Sequence, residues 1–145
     1  MPIIQSPSVT EFQGALIERV KRTPTIESFR FKPDREISFL AGQFLSVIFD
    51  ARNKNNRELN KYLSFSSSPH KDYIEVTKRL GSSDFSRRLR ELKPGEIVSF
   101  RGPLGNCVFS PEYKKIGFLI GGIGITPVIS MLEHIAEKGL DTMLF

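Results

Sequence analysis

Through the first hundred residues, apolar and polar positions come in short runs broken by turn residues. Residues 11–20 (Glu-Phe-Gln-Gly-Ala-Leu-Ile-Glu-Arg-Val) read as a first strand, and Thr23-Pro24-Thr25 as the turn that follows. Over residues 26–32, Phe29 and Phe31 fall on one face, with Arg30 and Lys32 on the other. Ala41-Gly42-Gln43-Phe44 leads into a third strand over residues 44–49, apolar on both faces. Residues 51–60 are polar and predict an exposed loop. Further strands are expected over residues 61–69, 72–79 and 97–101, the last after the turn Lys93-Pro94-Gly95-Glu96.

A single helical spacing interrupts this series. Phe85, Leu89 and Leu92 recur at i, i+4 and i+7, which places them on one face, with Arg87, Arg88 and Arg90 opposite. Ser83, Asp84 or Ser86 would cap the helix start.

The pattern changes after Pro103. Residues 116–120 form a continuous apolar run, as in a buried parallel strand, followed by the turn Gly121-Gly122-Ile123-Gly124-Ile125. Thr126 suits an N-cap and Pro127 the first helical position. Val128, Met131, Leu132, Ile135 and Ala136 make a helical stripe that Gly139 ends, and residues 141–145 begin another strand. The expected fold is therefore mainly β. A six-stranded antiparallel Greek-key barrel with one short helix occupies residues 1–108. Residues 109–145 then form a β-α-β stub of an α/β nucleotide-binding domain.

Composition narrows the classes. Of 145 residues, 39% are apolar and 26% charged, as in a soluble globular chain. The longest apolar stretch, residues 116–125, holds four glycines and is too short for a membrane span. One cysteine, Cys107, excludes an internal disulfide and a cysteine-held iron–sulfur cluster, and points to a cytoplasmic home. The net charge of +5 favours an acidic or phosphate-bearing partner. A nucleic-acid-binding barrel would interleave exposed aromatics with its cations, whereas Phe29, Phe31, Phe44 and Phe49 sit in core-like patterns.

Three segments carry candidate chemistry. In Lys61-Tyr62-Leu63-Ser64-Phe65-Ser66-Ser67-Ser68-Pro69, four serines in five positions sacrifice packing surface and suit a flat polar ligand. Gly81-Ser82-Ser83-Asp84-Phe85-Ser86 runs into a helix start, where free N–H groups receive an anion. Gly121-Gly122-Ile123-Gly124-Ile125-Thr126-Pro127 follows a strand and opens a helix, the setting in which a glycine turn admits a dinucleotide.

In their order, these segments resemble the ferredoxin–NADP reductase superfamily from about Phe12 onward. Its flavin strand reads Arg-x-Tyr-Ser-x-x-Ser, with Lys61 here at the arginine, Leu63 at the tyrosine, and Ser64 and Ser67 at the serines. The resemblance implies that Lys61 neutralises a flavin phosphate, Leu63 covers one ring face and Ser64 meets the ring near its reactive nitrogen. It implies that Tyr62, Phe65 and Ser66 flank the same site, and that Val76, Thr77 and Lys78 line it through their backbone. It assigns Gly81, Ser83, Asp84, Phe85 and Ser86 to the pyrophosphate turn. Gly121, Gly122, Gly124, Ile125, Thr126 and Pro127 correspond to the nicotinamide turn. The implied activity is that of an FAD-binding oxidoreductase passing electrons between NAD(P)H and an acceptor, such as an acidic ferredoxin. The alternative is a non-catalytic flavin subunit that needs a partner to complete the nicotinamide site.

The remaining candidates are quieter. Cys107 is expected to be a small buried residue. His70 has no second ligand near it in sequence and His134 reads as a surface residue, so no metal site is expected.

Overall fold

The computed structural model describes residues 4–144; Phe145, the end of the last expected strand, lies outside them. Six strands form one antiparallel sheet: β1 Thr10–Lys21, β2 Ile26–Pro33, β3 Phe44–Ile48, β4 Asn60–Ser64, β5 Ile74–Arg79 and β6 Ile97–Leu104. Their order is β4-β3-β6-β1-β2-β5, so β6 inserts between β3 and β1 in a Greek-key crossing. A β-bulge at Ile17 turns β1 from β6 toward β2 and leaves that side chain exposed.

The sheet curls until its edge strands nearly meet. Among the described residues, β4 and β5 are joined by the single bridge between Phe65 and Val76, where Ser66 N–H donates to the Glu75 carbonyl at 2.8 Å. Inward-facing Phe12, Leu16, Phe29, Phe31, Leu45 and Phe100 fill the interior. The helix α1, Asp84–Glu91, closes one end with Phe85 and Leu89, as its i, i+4 spacing predicts. Ser83 is its cap, its hydroxyl accepting from Ser86 N–H.

The serine strand is shorter than expected. It stops at Ser64, because Phe65 turns fully into the core and stacks on Phe39, ring centroids 3.8 Å apart.

The second unit differs more. Only Lys115–Ile116 forms a strand, β7, in parallel with β8 at Met143–Leu144. Of the rest of the expected buried strand, Phe118 packs partly on the second core, but Ile120 is exposed and Leu119 is fully exposed at 105%. A two-stranded parallel pair with one helix covers a single face, so it cannot bury an apolar run on both sides. A 3-10 turn at Gly122–Ile125 runs into helix α2, Thr126–Lys138. Thr126 is the first helical residue, and its hydroxyl donates back to the Ile123 carbonyl at 3.1 Å instead of capping the helix start. Gly139 ends α2 in the left-handed conformation expected of it.

The buried face of α2 is rotated from the expected stripe. Met131 and Ile135 pack with Ala41 and Phe109, but Leu132 and Ala136 are exposed and Ser130 is fully buried. The barrel offers α2 a polar turn, so Ser130, Glu133 and Glu137 form the docking face. Gly42 sits where these parts converge; a Cβ there would lie 2.2 Å from the Cys107 carbonyl oxygen and 2.4 Å from the Met131 methyl. Cys107 itself is exposed, contrary to expectation, because the chain leaves the barrel there before Phe109 re-enters the second core.

Candidate functional site

Pairing fixes which way each residue of β4 faces. Leu63 lies opposite buried Leu45, and Lys61 opposite buried Val47, so both point to the barrel side. Leu63 packs partly on the core. Tyr62 and Ser64 take the outer side, where Tyr62 is 67% exposed. There they line a cavity of about 460 Å³ with Phe44, Arg101 and Leu104.

Lys61 finds a neighbour across the gap between β4 and β5. Burial, then Lys61, then Arg79 hold the Lys78 ammonium below the usual lysine range. Among the described residues neither Lys61 nor Lys78 has a carboxylate partner; Lys78 Nζ donates to the Arg79 carbonyl at 2.9 Å. Two cations held together without a counter-charge are an electrostatic cost unless an anion joins them. The start of α1 follows directly after β5. Its first-turn N–H groups lack intrahelical partners, and the macrodipole there favours negative charge.

The loop before α1 is braced from within. Ser86 is buried, and its hydroxyl accepts from Gly81 N–H at 3.2 Å and from the Ser83 hydroxyl at 3.0 Å. Asp84, the carboxylate nearest this anion-favouring end, pairs with Arg87 at 2.8 Å on the exposed face. Phe85 is wholly in the core, so any ligand meets its main chain. Lys61, Lys78 and the α1 start therefore fit a diphosphate.

The other serines serve the protein itself. The Ser66 hydroxyl bonds Glu75 at 2.8 Å and Thr77 at 2.7 Å, and Thr77 also bonds Ser28 at 2.7 Å. The Ser67 hydroxyl accepts from Glu75 N–H, while Ser68 meets Glu133 and Glu137 of α2. Of the four serines, Ser64 alone opens on a cavity.

The glycine turn faces another part of the barrel. Gly122, Ile125 and Thr126 line a cavity of about 300 Å³ with Ser28, Glu75 and Thr77. Gly121 and Gly124 are exposed, and Pro127 is half-buried in the first turn of α2. The sequence-predicted residues thus divide into a cationic gap, an outer pocket at Ser64, and a cleft between β5 and α2.

Sequence reading missed Glu75. It is buried and held by Arg22 at 3.2 Å and Arg30 at 2.8 Å. Glu75 first, then Glu18, pushes the Arg30 guanidinium to stay charged well above its usual range. Strand alternation with Ile74 and Val76 inward would have put Glu75 and Thr77 on the outer face. His70 does have a ring neighbour, His134, but no group of three metal-ligating side chains occurs among the described residues.

The fold is an antiparallel barrel with one laced seam, lysines Lys61 and Lys78 on its edge strands and a helix that follows β5. Residues 13–109 match the profile of one family along their whole length. The chain belongs to the oxidoreductase FAD-binding domain family. It is 30% identical over 132 residues to NADH-cytochrome b5 reductase 1 of Ajellomyces capsulatus, covering 87% of this chain and 43% of that one. It is 31% identical over 124 residues to the probable dihydroorotate dehydrogenase B (NAD(+)) electron transfer subunit of Methanocaldococcus jannaschii, covering 86% and 42%. The ferredoxin-NADP+ reductase structure from Plasmodium falciparum shares the fold, with TM-score 0.76 at 15% identity over 93% of this chain and 56% of that one. The chain thus spans less than half the length of these two curated relatives.

Proposed function

We propose that this chain holds FAD along the β4–β5–α1 seam and passes electrons between NAD(P)H and an acceptor. The observation that carries the reading is the match of residues 13–109 to the oxidoreductase FAD-binding domain family, supported by Lys61 and Lys78, which have no carboxylate partner among the described residues. In this reading both ammonium groups neutralise the pyrophosphate, and main-chain N–H groups from Ser82 to Phe85 orient it, while Gly81 N–H holds the loop through the Ser86 hydroxyl. Leu63 covers one face of the ring, and the Ser64 hydroxyl bonds its reactive edge. The backbone of Val76, Thr77 and Lys78 follows the ribityl side. Tyr62, Phe65 and Ser66 shape the strand from either face. Ser83 and Ser86 hold the turn, and Asp84 stays neutralised by Arg87.

When bound, FAD supplies hydride acceptance and stepwise electron release. The chain's own residues bind, orient and exclude water; none has to give or take a proton. Gly121, Gly122, Gly124, Ile125, Thr126 and Pro127 form the nicotinamide side of the site. We assign residues 1–108 to the flavin barrel and 109–145 to the beginning of a nucleotide-binding unit. The acceptor we favour is an acidic carrier such as a ferredoxin, matched by the net charge of +5. A cytoplasmic location completes the proposal, on the strength of the lone Cys107.

A second reading, a flavin subunit completed by a partner, draws on the chain's short span relative to its relatives. An absorption spectrum of freshly purified protein, with mass analysis of the released cofactor, tests the central reading. FAD is expected; a colourless protein that takes up no added FAD defeats it. A yellow protein that fails to oxidise NADH or NADPH favours the second reading.

A further inference from the structure

Helix α2 meets the barrel through the turn after β4. Ser130 hydroxyl donates to the Ser67 carbonyl at 2.7 Å, Glu133 accepts from Ser68 N–H at 2.8 Å, and Glu137 bonds the Ser68 hydroxyl. At the exposed end of this seam, His70 Nε2 lies 3.0 Å from His134 Nδ1. The ring centroids are 5.0 Å apart with planes only 19° apart. An imidazole nitrogen sits ~1.1 Å from its ring centre, so these numbers set the two nitrogens nearly on the line between rings. The contact is an in-line N–H···N bond, one nitrogen donating and the other accepting.

Such a bond has room for one extra proton and no more. A neutral pair shares the hydrogen already present. A singly charged pair, imidazolium to imidazole, keeps the bond and strengthens it. A second proton removes the accepting lone pair and sets two cations 3.0 Å apart.

We propose that His70 and His134 form an acid-sensitive latch, which releases α2 from the serine turn when both imidazoles are protonated. The surroundings set which ring resists. His134 is backed by the edge of the Phe109 ring, centroids 5.6 Å apart. Burial first, then His70 and Lys138, hold its charge off, against Glu137, which favours it. On the barrel side, His70 borders a cavity lined also by Lys32, Arg35, Glu36, Lys71 and Asp72. Lys32 pairs with Asp72, Arg35 with Asp34 and Lys71 with Glu137, so these cations are largely spoken for. Glu137 is held below the usual carboxylate range by Lys71 and Ser68, so it stays ionised as the histidines titrate. The proton that completes the doubly charged pair is the one His134 resists, below the usual histidine range.

The sign follows. The released state binds the second proton more readily than the docked one, so docking weakens as pH falls below the ordinary histidine value. The loss is complete once pH passes the lowered His134 value. That α2 carries the nicotinamide turn rests on the function proposed above; the release itself does not.

Hydrogen exchange on the full chain, corrected for intrinsic amide rates, tests the latch. Between about pH 7.5 and about pH 5, α2 amides should exchange at least ~5-fold faster while β1 and β2 amides keep their rates. His134→Asn keeps an acceptor near the Nδ1 position and cannot gain charge, so its α2 should lose the acid response. If that variant fails to fold, His70→Gln, at an exposed side chain, serves the same purpose. An NMR titration of the ring carbons should show coupled uptake, its second step lower than for ordinary histidine. Unchanged α2 exchange in the wild type overturns the latch, as does an equal acid response in the variant or independent titration of the two rings. An intact acid response in protein that binds no flavin supports the latch and overturns the proposed function instead.

Discussion

Ser130 of α2 gives its hydroxyl proton to the main-chain carbonyl of Ser67 across 2.7 Å, and both residues are closed to solvent. The pairing explains why a serine stands among the apolar positions of α2. A bare carbonyl at that depth would carry its full desolvation penalty. Ser130→Ala should therefore cost about 1–3 kcal/mol, measured by urea unfolding, with α2 amides losing protection before those of β1. Wild-type stability in this variant would show that water enters the contact freely.

Lys61 and Lys78 should each contribute to ligand affinity through charge. Lys61→Ala and Lys78→Ala are expected to weaken FAD binding by roughly tenfold apiece, the size of one charge-assisted hydrogen bond. Lys61→Arg should retain most of the affinity. Fluorescence quenching on titration with FAD reads all three, and full affinity in both alanine variants would remove the pyrophosphate assignment.

Alkaline pH should weaken the same interaction early. Burial, Lys61 and Arg79 lower the Lys78 value in the free chain, so the cation is lost before an ordinary lysine would lose its own. Affinity is present below that lowered value and falls as pH rises through it. Lys78→Arg keeps its charge throughout, so its affinity should hold to higher pH. Identical pH profiles for wild type and Lys78→Arg would contradict the assignment.

Ser64 opens on the outer cavity with Tyr62 and Phe44, and no partner within the chain engages its hydroxyl among the described residues. Ser64→Ala should slow reduction by NADH or NADPH about tenfold while changing FAD retention little. Rapid-mixing absorbance measures the first and equilibrium dialysis the second. Equal losses in both would make Ser64 a binding residue only.

The barrel was legible where alternation marks an inner face: Phe29 and Phe31 alternate with Arg30 and Lys32, and all four sit as that alternation demands. Helix α1 was equally plain from Phe85, Leu89 and Leu92. The serine segment was read less well. Composition alone cannot tell a hydroxyl presented to a ligand from one bonded to the protein's own chain, and Ser66, Ser67 and Ser68 are of the second kind. The apolar run after Tyr113 looked buried because burial is the usual fate of such runs, yet Leu119 has nothing packed over it and Ile120 is exposed. His70 and His134 are 64 positions apart, and only the fold makes them neighbours.

Among the described residues, the single Phe65–Val76 rung leaves the facing edges of β4 and β5 without ladder partners along most of their length. Unused main-chain donors and acceptors on a strand edge recruit other strands. With FAD along this seam as proposed, the chain stripped of its ligand is the form prone to sticking to its own copies, and the cofactor doubles as a stave that shuts the cask.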